Sequence, residues 1–369
     1  MTRVVGVEAA STSTVNVALL QPELGYSGRQ RLILLPLRHS NQASATFGPQ
    51  HPTMTAVGES LDREEIINVP TWLQTHPELR RRGIVLVGPL KPVCRDGFIP
   101  SLLATTTLTQ CLQSYVYRTT VLEVPVYAVK ILEAEHEEAH IYERLRGDPK
   151  PQNHTIPFEI VHSEPELLIM PCLTHMSSLP SDDWPLSAFF ALFLQIVEGV
   201  EYLHNQRIAH LDLCDGNVLV ATERMASFDN RLTPGRIYII DYHTSRQLPS
   251  GPGVHPPIHL PPTQIPPPLD NRLFDPYSWD VYCLGKLFER MVKLRYWGKP
   301  SPPWITRRIT QWLVGDERGC ADFWHRRPTA RRARQVLTVV RWATWFSESV
   351  SKVSGWVRLT STSSRTLRE

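Results

Sequence analysis

Net charge of either sign is what this chain has little of. Over 369 residues, 39 Lys and Arg stand against 36 Asp and Glu, a formal balance of +3. So small a balance gives no argument for nucleic acid or a membrane surface as a partner, and neither is expected. Cysteine is sparse as well. The six cysteines are Cys94, Cys111, Cys172, Cys214, Cys283 and Cys320, and no two stand in a CxxC pair. That spacing argues against a structural zinc site and leads us to expect the reduced thiols of an intracellular protein, cytoplasmic or nuclear. The stretch from Met1 to Leu20 lacks a compact apolar core followed by a cleavage site, so no signal peptide is expected. No apolar run approaches the roughly 18 residues of a membrane span. The longest, Phe189 to Val197, reads as a buried helix. No internal repeat is found.

Apolar residues, by contrast, make up 42%, enough for a sizeable core. The length allows two or three compact units. Residues 1 to about 58 mix Ser, Thr, Gln, Gly and Pro with short apolar patches, and weak order is expected there. Ser60 to Glu65 reads as a helix start, Pro70 as a limit or a second start, and Gly83 to Gly88 as a short strand. Three β-branched or aromatic-rich runs follow, Ala104–Leu108, Ser114–Leu122 and Val126–Leu132, and they read as an antiparallel meander. Glu133 to Arg146 is helical in composition, with Ala139, Tyr142 and Leu145 near one face. Thr155–Val161 and Leu167–Leu173 complete a small lobe of five strands and one helix.

Beyond Leu186 the pattern turns helical. Phe189, Phe190, Phe193, Leu194, Val197, Val200 and Leu203 recur at steps of three and four. Val218–Ala221 and Arg236–Ile240 are strand-like. Nine prolines then fall between Pro249 and Pro268, where the backbone is expected to be extended. Asp280–Leu294 is helical again, Thr329–Trp342 reads as a basic helix, and the remainder as a loose tail.

Two segments carry chemistry. His210-Leu211-Asp212-Leu213-Cys214-Asp215-Gly216-Asn217 follows the long amphipathic stretch directly. Ile237-Tyr238-Ile239-Ile240 is a strand ending in Asp241. Phosphoryl transfer needs one carboxylate to orient or deprotonate the attacking hydroxyl, and an amide with a second carboxylate to hold magnesium against the phosphates. Asp212, Asn217 and Asp241 suit those roles in that order.

These segments resemble the eukaryotic protein kinase family. His210-Leu211-Asp212, Cys214 and Asn217 follow its catalytic-loop pattern, and Asp241-Tyr242-His243 stands for its D-F-G element. Val126-Tyr127-Ala128-Val129-Lys130 is similar to the family's V-A-I-K strand. The resemblance implies that Lys130 holds the α and β phosphates and that Glu138 is its ion partner, with Glu135, one turn earlier, the alternative. It puts Thr109, Cys111 and Ser114 at the three glycine positions of the phosphate loop and Val116 at the valine after them. It lines the adenine pocket with Ala128 and Leu219, makes Met170 the gatekeeper, and brings the carbonyl of Pro171 and the N–H of Leu173 to the adenine edge. Asp280-Val281-Tyr282-Cys283-Leu284-Gly285 resembles the helix whose aspartate braces the catalytic loop, and Arg327-Pro328-Thr329 the R-P-T late in the large lobe. The likeness runs in order along about two thirds of the chain, and its flavour is that of divergent kinase-like proteins of mushroom-forming fungi.

The implied fold is α+β and two-lobed: an N-terminal extension over 1–95, partly disordered; a small sheet lobe over 96–173; a larger helical lobe over 174–340; and a tail over 341–369. The implied activity is transfer of the γ-phosphate of ATP, with Mg2+, to Ser or Thr hydroxyls of an unidentified protein. Departures from the pattern shape that expectation. Leu211 cannot bind a phosphorylated activation loop as the family's arginine does. Cys214 stands where the pattern has a lysine, and is read as a filler rather than a nucleophile. His243 replaces a glycine, and no A-P-E is found: its place falls on Pro266-Pro267-Pro268. Arg327 therefore lacks its usual glutamate, with Asp270 a substitute. The same residues also suit two other functions: a pseudokinase acting as a scaffold, and a small-molecule phosphotransferase of the aminoglycoside or choline kinase type.

Overall fold

The computed structural model describes residues 69–90, 116–120, 125–179, 184–268, 273–299, 301–315 and 327–363, with side chains as far as residue 353. All belong to one compact unit, Asp62–Glu369. The expected helix start at Ser60–Glu65 and strand at Ala104–Leu108 lie outside the described residues.

Two short helices open the described chain, α1 (Thr71–Gln74), which starts directly after Pro70, and α2 (Pro77–Arg81). Strands β1 (Leu86–Pro89), β2 (Val116–Thr119) and β3 (Tyr127–Ile131) follow. Helix α3 (Glu138–Leu145) leads to β4 (Glu159–Val161) and β5 (Leu167–Pro171). The five strands form one antiparallel sheet in the order β1-β2-β3-β5-β4. The α+β expectation of a five-stranded sheet is met, with one revision. The edge strand next to β2 is Leu86–Pro89, from the segment assigned to the N-terminal extension. The physical reason is burial. Leu73, Leu79 and Leu86 pack with Val129, Val161, Leu167 and Ile169 in a second, smaller core that covers one face of the sheet. A boundary at residue 95 would cut through that sheet and its cover.

Helix α3 is also shorter than its composition suggested. It begins at Glu138, not Glu133, and its buried face is Glu138, Ile141, Tyr142 and Leu145, the i, i+3, i+4, i+7 stripe of one helix side.

The chain continues through β6 (Thr174–His175), α4 (Leu186–Asn205), β7 (Ile208–Ala209), β8 (Val218–Val220), α5 (Glu223–Ala226), β9 (Ile237–Ile239), β10 (Arg246–Gln247), β11 (Ile258–His259), β12 (Leu273–Phe274), α6 (Pro276–Arg295), α7 (Trp304–Val314) and α8 (Ala330–Ser363). By length and composition α4 is apolar enough to cross a bilayer. That capacity follows from length and composition alone, and the expectation of a buried helix over Phe189–Val197 is met. Within the protein α4 is a core helix: Phe189, Phe190, Phe193, Val197 and Val200 are buried on it, and Phe193 lies tilted against Phe288 of α6 at 4.3 Å between ring centres.

Helix α8 runs along α4. The Arg334 guanidinium pairs with Glu201, and Glu348 accepts hydrogen bonds from the backbone N–H and the hydroxyl of Ser187. The loose tail expected from residue 341 is helical to Ser363. Packing against α4 supports the helix as far as Glu348, where low-propensity Thr and Val residues are interspersed. The outer side of α8 shows Val339, Trp342, Phe346, Val350 and Val353 to solvent.

The architecture is thus an antiparallel sheet with one helix, joined to a larger helical part, and is compatible with two lobes.

Candidate active site

The site begins with a cross-strand pair. Val116 on β2 stands opposite Lys130 on β3. The strand brings the Lys130 ammonium to the buried face of α3, where Glu138 waits at its first turn. Lys130 Nζ lies 2.7 Å from Glu138 Oε2 and 2.6 Å from Asp241 Oδ1. One cation thus bridges two carboxylates, 111 residues apart in the case of Asp241. Burial works against the ammonium, but the two carboxylates outweigh it and hold Lys130 above its usual range. Glu138 is nearly sealed, and burial pushes its carboxyl up to about 7 against the pull of Lys130. Asp241 resolves the other way: desolvation is overcome by the charge and hydrogen bond of Lys130, and its carboxyl stays below the usual value. Of the two glutamates weighed for Lys130, Glu138 makes the contact.

The loop from His210 to Asn217 hangs between β7 and β8. Its backbone is held from below by α6. Asp280, fully buried, accepts the N–H of His210 on Oδ2 and of Leu211 on Oδ1, both at 2.8 Å, and also meets His204 Nε2 at 2.9 Å. Trp279 Nε1 donates to the carbonyl of Leu211 at 2.7 Å. Leu211 holds φ 68°, a left-handed conformation costly for a branched side chain. The bracing expected of Asp280 is present in geometry. Leu211 is fully buried, so its place in the loop is apolar packing.

At the loop's far end Asn217 Nδ2 donates to the carbonyl of Asp212 at 2.8 Å, which leaves the amide oxygen as an acceptor. His210 Nε2 meets the carbonyl of Ile240 at 3.0 Å, tying the loop to the end of β9. Cys214 is buried, and burial together with the nearby Asp212 charge raises its thiol to about 12. A thiol so placed stays protonated and is no nucleophile, in line with the reading of Cys214 as a filler.

Asp241 also has positive φ, at 67°, and its N–H donates to Tyr142 Oη at 3.3 Å. Tyr242 is fully buried edge-on to Tyr142, with ring centres 4.9 Å apart. It packs as a phenylalanine would, with its hydroxyl 3.1 Å from Thr155 Oγ1. His243 lies against His136 at 3.9 Å between ring centres, and His136 Nε2 is 2.9 Å from Glu133 Oε2. Glu133, His136 and His243 bring three ligand atoms within 4.8 Å of one another, close enough to hold a metal ion.

Of the residues expected around a nucleotide base, Ala128, Met170, Leu173 and Leu219 are buried in one apolar cluster, with Val116 packed against it. Ala128 stands opposite Met170, and Pro171 ends β5 opposite Tyr127. The proline gives up no donor that the sheet uses there. Thr109, Cys111 and Ser114 lie outside the described residues, as does Asp270. Arg327 Nε donates to the carbonyl of Val314 at 2.7 Å and its guanidinium lies 4.8 Å from the centre of the Tyr282 ring. A cavity of about 400 Å3 opens elsewhere, between the turn after α3 and the β8–β9 hairpin. None of the site residues above, apart from Thr155, lines it.

One contact was not foreseen. Gln264, in the proline-rich segment, places its backbone N–H 2.7 Å from Asp212 Oδ1 and its side-chain Nε2 2.9 Å from Asp212 Oδ2. The sequence implies extended backbone for this segment and gives it no place at the site. The available signal was weak: Thr263, Gln264 and Ile265 are the three residues between two proline runs that still carry N–H donors.

No protein-family model matches the chain. A stretch of 47 residues is 38% identical to the serine/threonine-protein kinase STK11 of Homo sapiens. That match takes in 13% of this chain and 11% of the human protein, so it reaches a small part of either.

Proposed function

We propose that the chain is a phosphotransferase of the protein-kinase kind, moving the γ-phosphate of Mg-ATP to Ser or Thr hydroxyls of a protein. The observation that carries this reading is the Lys130 ammonium held between Glu138 and Asp241, with Asp212 and Asn217 joined by a hydrogen bond on the adjoining loop. The short likeness to a human serine/threonine kinase points the same way.

The donor set suits the cofactor. Asp241 Oδ2 and Asn217 Oδ1 are hard oxygen donors of the type magnesium takes, and Lys130 sets a fixed positive charge beside them. Ala128, Leu173 and Leu219 offer an apolar wall for a base. When bound, Mg-ATP supplies the transferable phosphoryl group and the cation that offsets charge on the leaving oxygens. Glu138 keeps Lys130 in place, so that the ammonium reaches phosphate oxygens without reorganising. Asp212 orients the attacking hydroxyl and takes its proton. With Cys214 where the pattern has a lysine, one stabilising contact to the moving phosphoryl group is missing, a loss on the order of 10²-fold in rate.

The test is transfer from labelled Mg-ATP to the protein itself and to a generic protein acceptor, beside Asp212→Asn. Label that vanishes in the variant supports the reading. Bound ATP with no label in either sinks it. That second outcome favours a nucleotide-binding scaffold, a reading that rests on the Gln264 contact, since both Asp212 oxygens already accept a donor.

A further inference from the structure

The segment over Asp212 has the character of a bound peptide. It is tethered on its upstream side. Upstream, Tyr277 Oη donates to the carbonyl of Ser250 at 2.6 Å, and β11 pairs with β12, Ile258 opposite Phe274 and His259 opposite Leu273. Downstream of these tethers, residues 261–266 alternate between half-buried and exposed, with Pro261, Thr263 and Ile265 the half-buried set, and the exposed Gln264 still reaches Asp212 with its side-chain amide. A period of two is that of extended chain. Ile258, Leu260 and Ile265 pack against the main core.

Gln264 alone turns both its backbone and its side chain onto a reactive carboxylate. The two hydrogen bonds occupy the place at Asp212 that an attacking hydroxyl must reach, since a general base has to lie within hydrogen-bond distance of the proton it removes. Glutamine has no hydroxyl, so it can occupy that place without reacting. Gly216 lies close by: a Cβ there would stand 4.0 Å from Gln264 Oε1.

We propose that the surface over Asp212 is an acceptor groove for an extended, proline-flanked peptide carrying Ser or Thr at the place of Gln264, and that residues 261–268 are its resident occupant. This rests on the phosphotransferase reading. In the reaction of such a peptide, the hydroxyl proton passes to Asp212 as the oxygen bonds to the γ-phosphorus. The bond from that phosphorus to the β-bridging oxygen breaks, and ADP leaves. The resident segment keeps the groove filled with a residue that cannot be phosphorylated, and an acceptor must displace it.

The experiment compares the full chain with its Q264S and Q264A variants in Mg-ATP. Phosphate at position 264 of Q264S, located by mass spectrometry and formed at a rate independent of protein concentration, is expected. Q264A is expected to phosphorylate a peptide of sequence HLPPTSIPPP about tenfold faster than the unaltered chain does, and to favour it over the same peptide with alanine for proline. A fall in Q264A activity would overturn the proposal, because it is what a residue standing in for the missing lysine would give. Transfer to a generic protein with no phosphate at 264 and no preference for proline would also overturn it, with the phosphotransferase reading intact. If no form transfers phosphate, the phosphotransferase reading has failed. Binding of fluorescent HLPPTQIPPP to a variant with glycine at 263, 264 and 265 then decides the groove: binding supports it, and none overturns it.

Discussion

Asp280 Oδ1 accepts the backbone N–H of Leu211 at 2.8 Å, and Leu211 is one of three non-glycine residues with positive φ among the described residues. The strained turn that aims Asp212 is thus secured by a carboxylate on another helix. Removing that carboxylate leaves the N–H groups of His210 and Leu211 buried without an acceptor, and each such loss costs about 1–3 kcal/mol. Asp280→Ala is expected to lower stability by about 3 kcal/mol or more in urea unfolding. Asp280→Asn, which keeps one acceptor oxygen, is expected to lose less. Equal losses in the two would show that the carboxylate's second acceptor does not matter.

Close approach of α6 and α7 depends on Gly285. A Cβ there would sit 2.8 Å from both the backbone nitrogen and Cγ2 of Val314. A backbone atom cannot swing aside, so Gly285→Ala is expected to cost about 1–3 kcal/mol despite alanine's better helix propensity. Gly199 on α4 gives the contrast. Its closest neighbour would be Ile239 Cδ1 at 2.7 Å, the end of a flexible side chain, although His154 Cβ follows at 3.0 Å. Gly199→Ala is expected to cost less than Gly285→Ala in the same denaturant series. The reverse order would mean that α7 yields more readily than one isoleucine.

Much of this arrangement was legible because the motifs are local and ordered. A strand carrying Lys130, a helix carrying Glu138 and a strand leading into Asp241 are each readable from a few residues, and the fold then brings the three side chains together. Two features were not legible for a physical reason. The edge strand Leu86–Pro89 is recruited across residues 90–115, and no short-range pattern encodes a partner that far away. The contact of Gln264 with Asp212 likewise spans 52 residues and uses a backbone N–H, which every non-proline residue has, and one side-chain amide with no pattern around it. Helix α8 was read too short because its Ser- and Thr-rich end has the composition of a tail, whereas the part of it up to Glu348 is held against α4.

Within the Lys130 triad, pH acts through Glu138. Its carboxyl is raised from 4.5 to about 7, chiefly by burial. Between those values the folded chain holds more protons than the unfolded chain, so this group's contribution is full below about 4.5 and is lost as pH rises through 7. Its size is up to about 3 kcal/mol. Glu138→Gln keeps an acceptor for Lys130 and does not titrate. Above about pH 6.5, where His154 no longer titrates, thermal unfolding of the unaltered chain is expected to fall toward pH 7.5, and the variant is expected to lose that downward slope. An unchanged slope would assign it to other groups.

His154 pulls in the opposite direction over an overlapping range. Burial is the main reason its imidazole is lowered from 6.5 to about 4, with its Nδ1 held 2.7 Å from the carbonyl of Ile237. Between pH 4 and 6.5 the unfolded chain holds more protons at this site, so stability rises with pH there and is lost as the pH falls toward 4. The magnitude is again about 3 kcal/mol, so from about pH 4.5 to 6.5 the two groups nearly cancel and the unaltered chain is expected to show a flat profile. The single variants separate them. Glu138→Gln unmasks the histidine, and stability then climbs from pH 4.5 to 6.5. His154→Asn, whose amide can still donate to Ile237, unmasks the glutamate, and stability then falls over the same interval. The double variant is expected to be flat again at a lower level. Slopes of the same sign in both single variants would refute the assignment of this balance to Glu138 and His154.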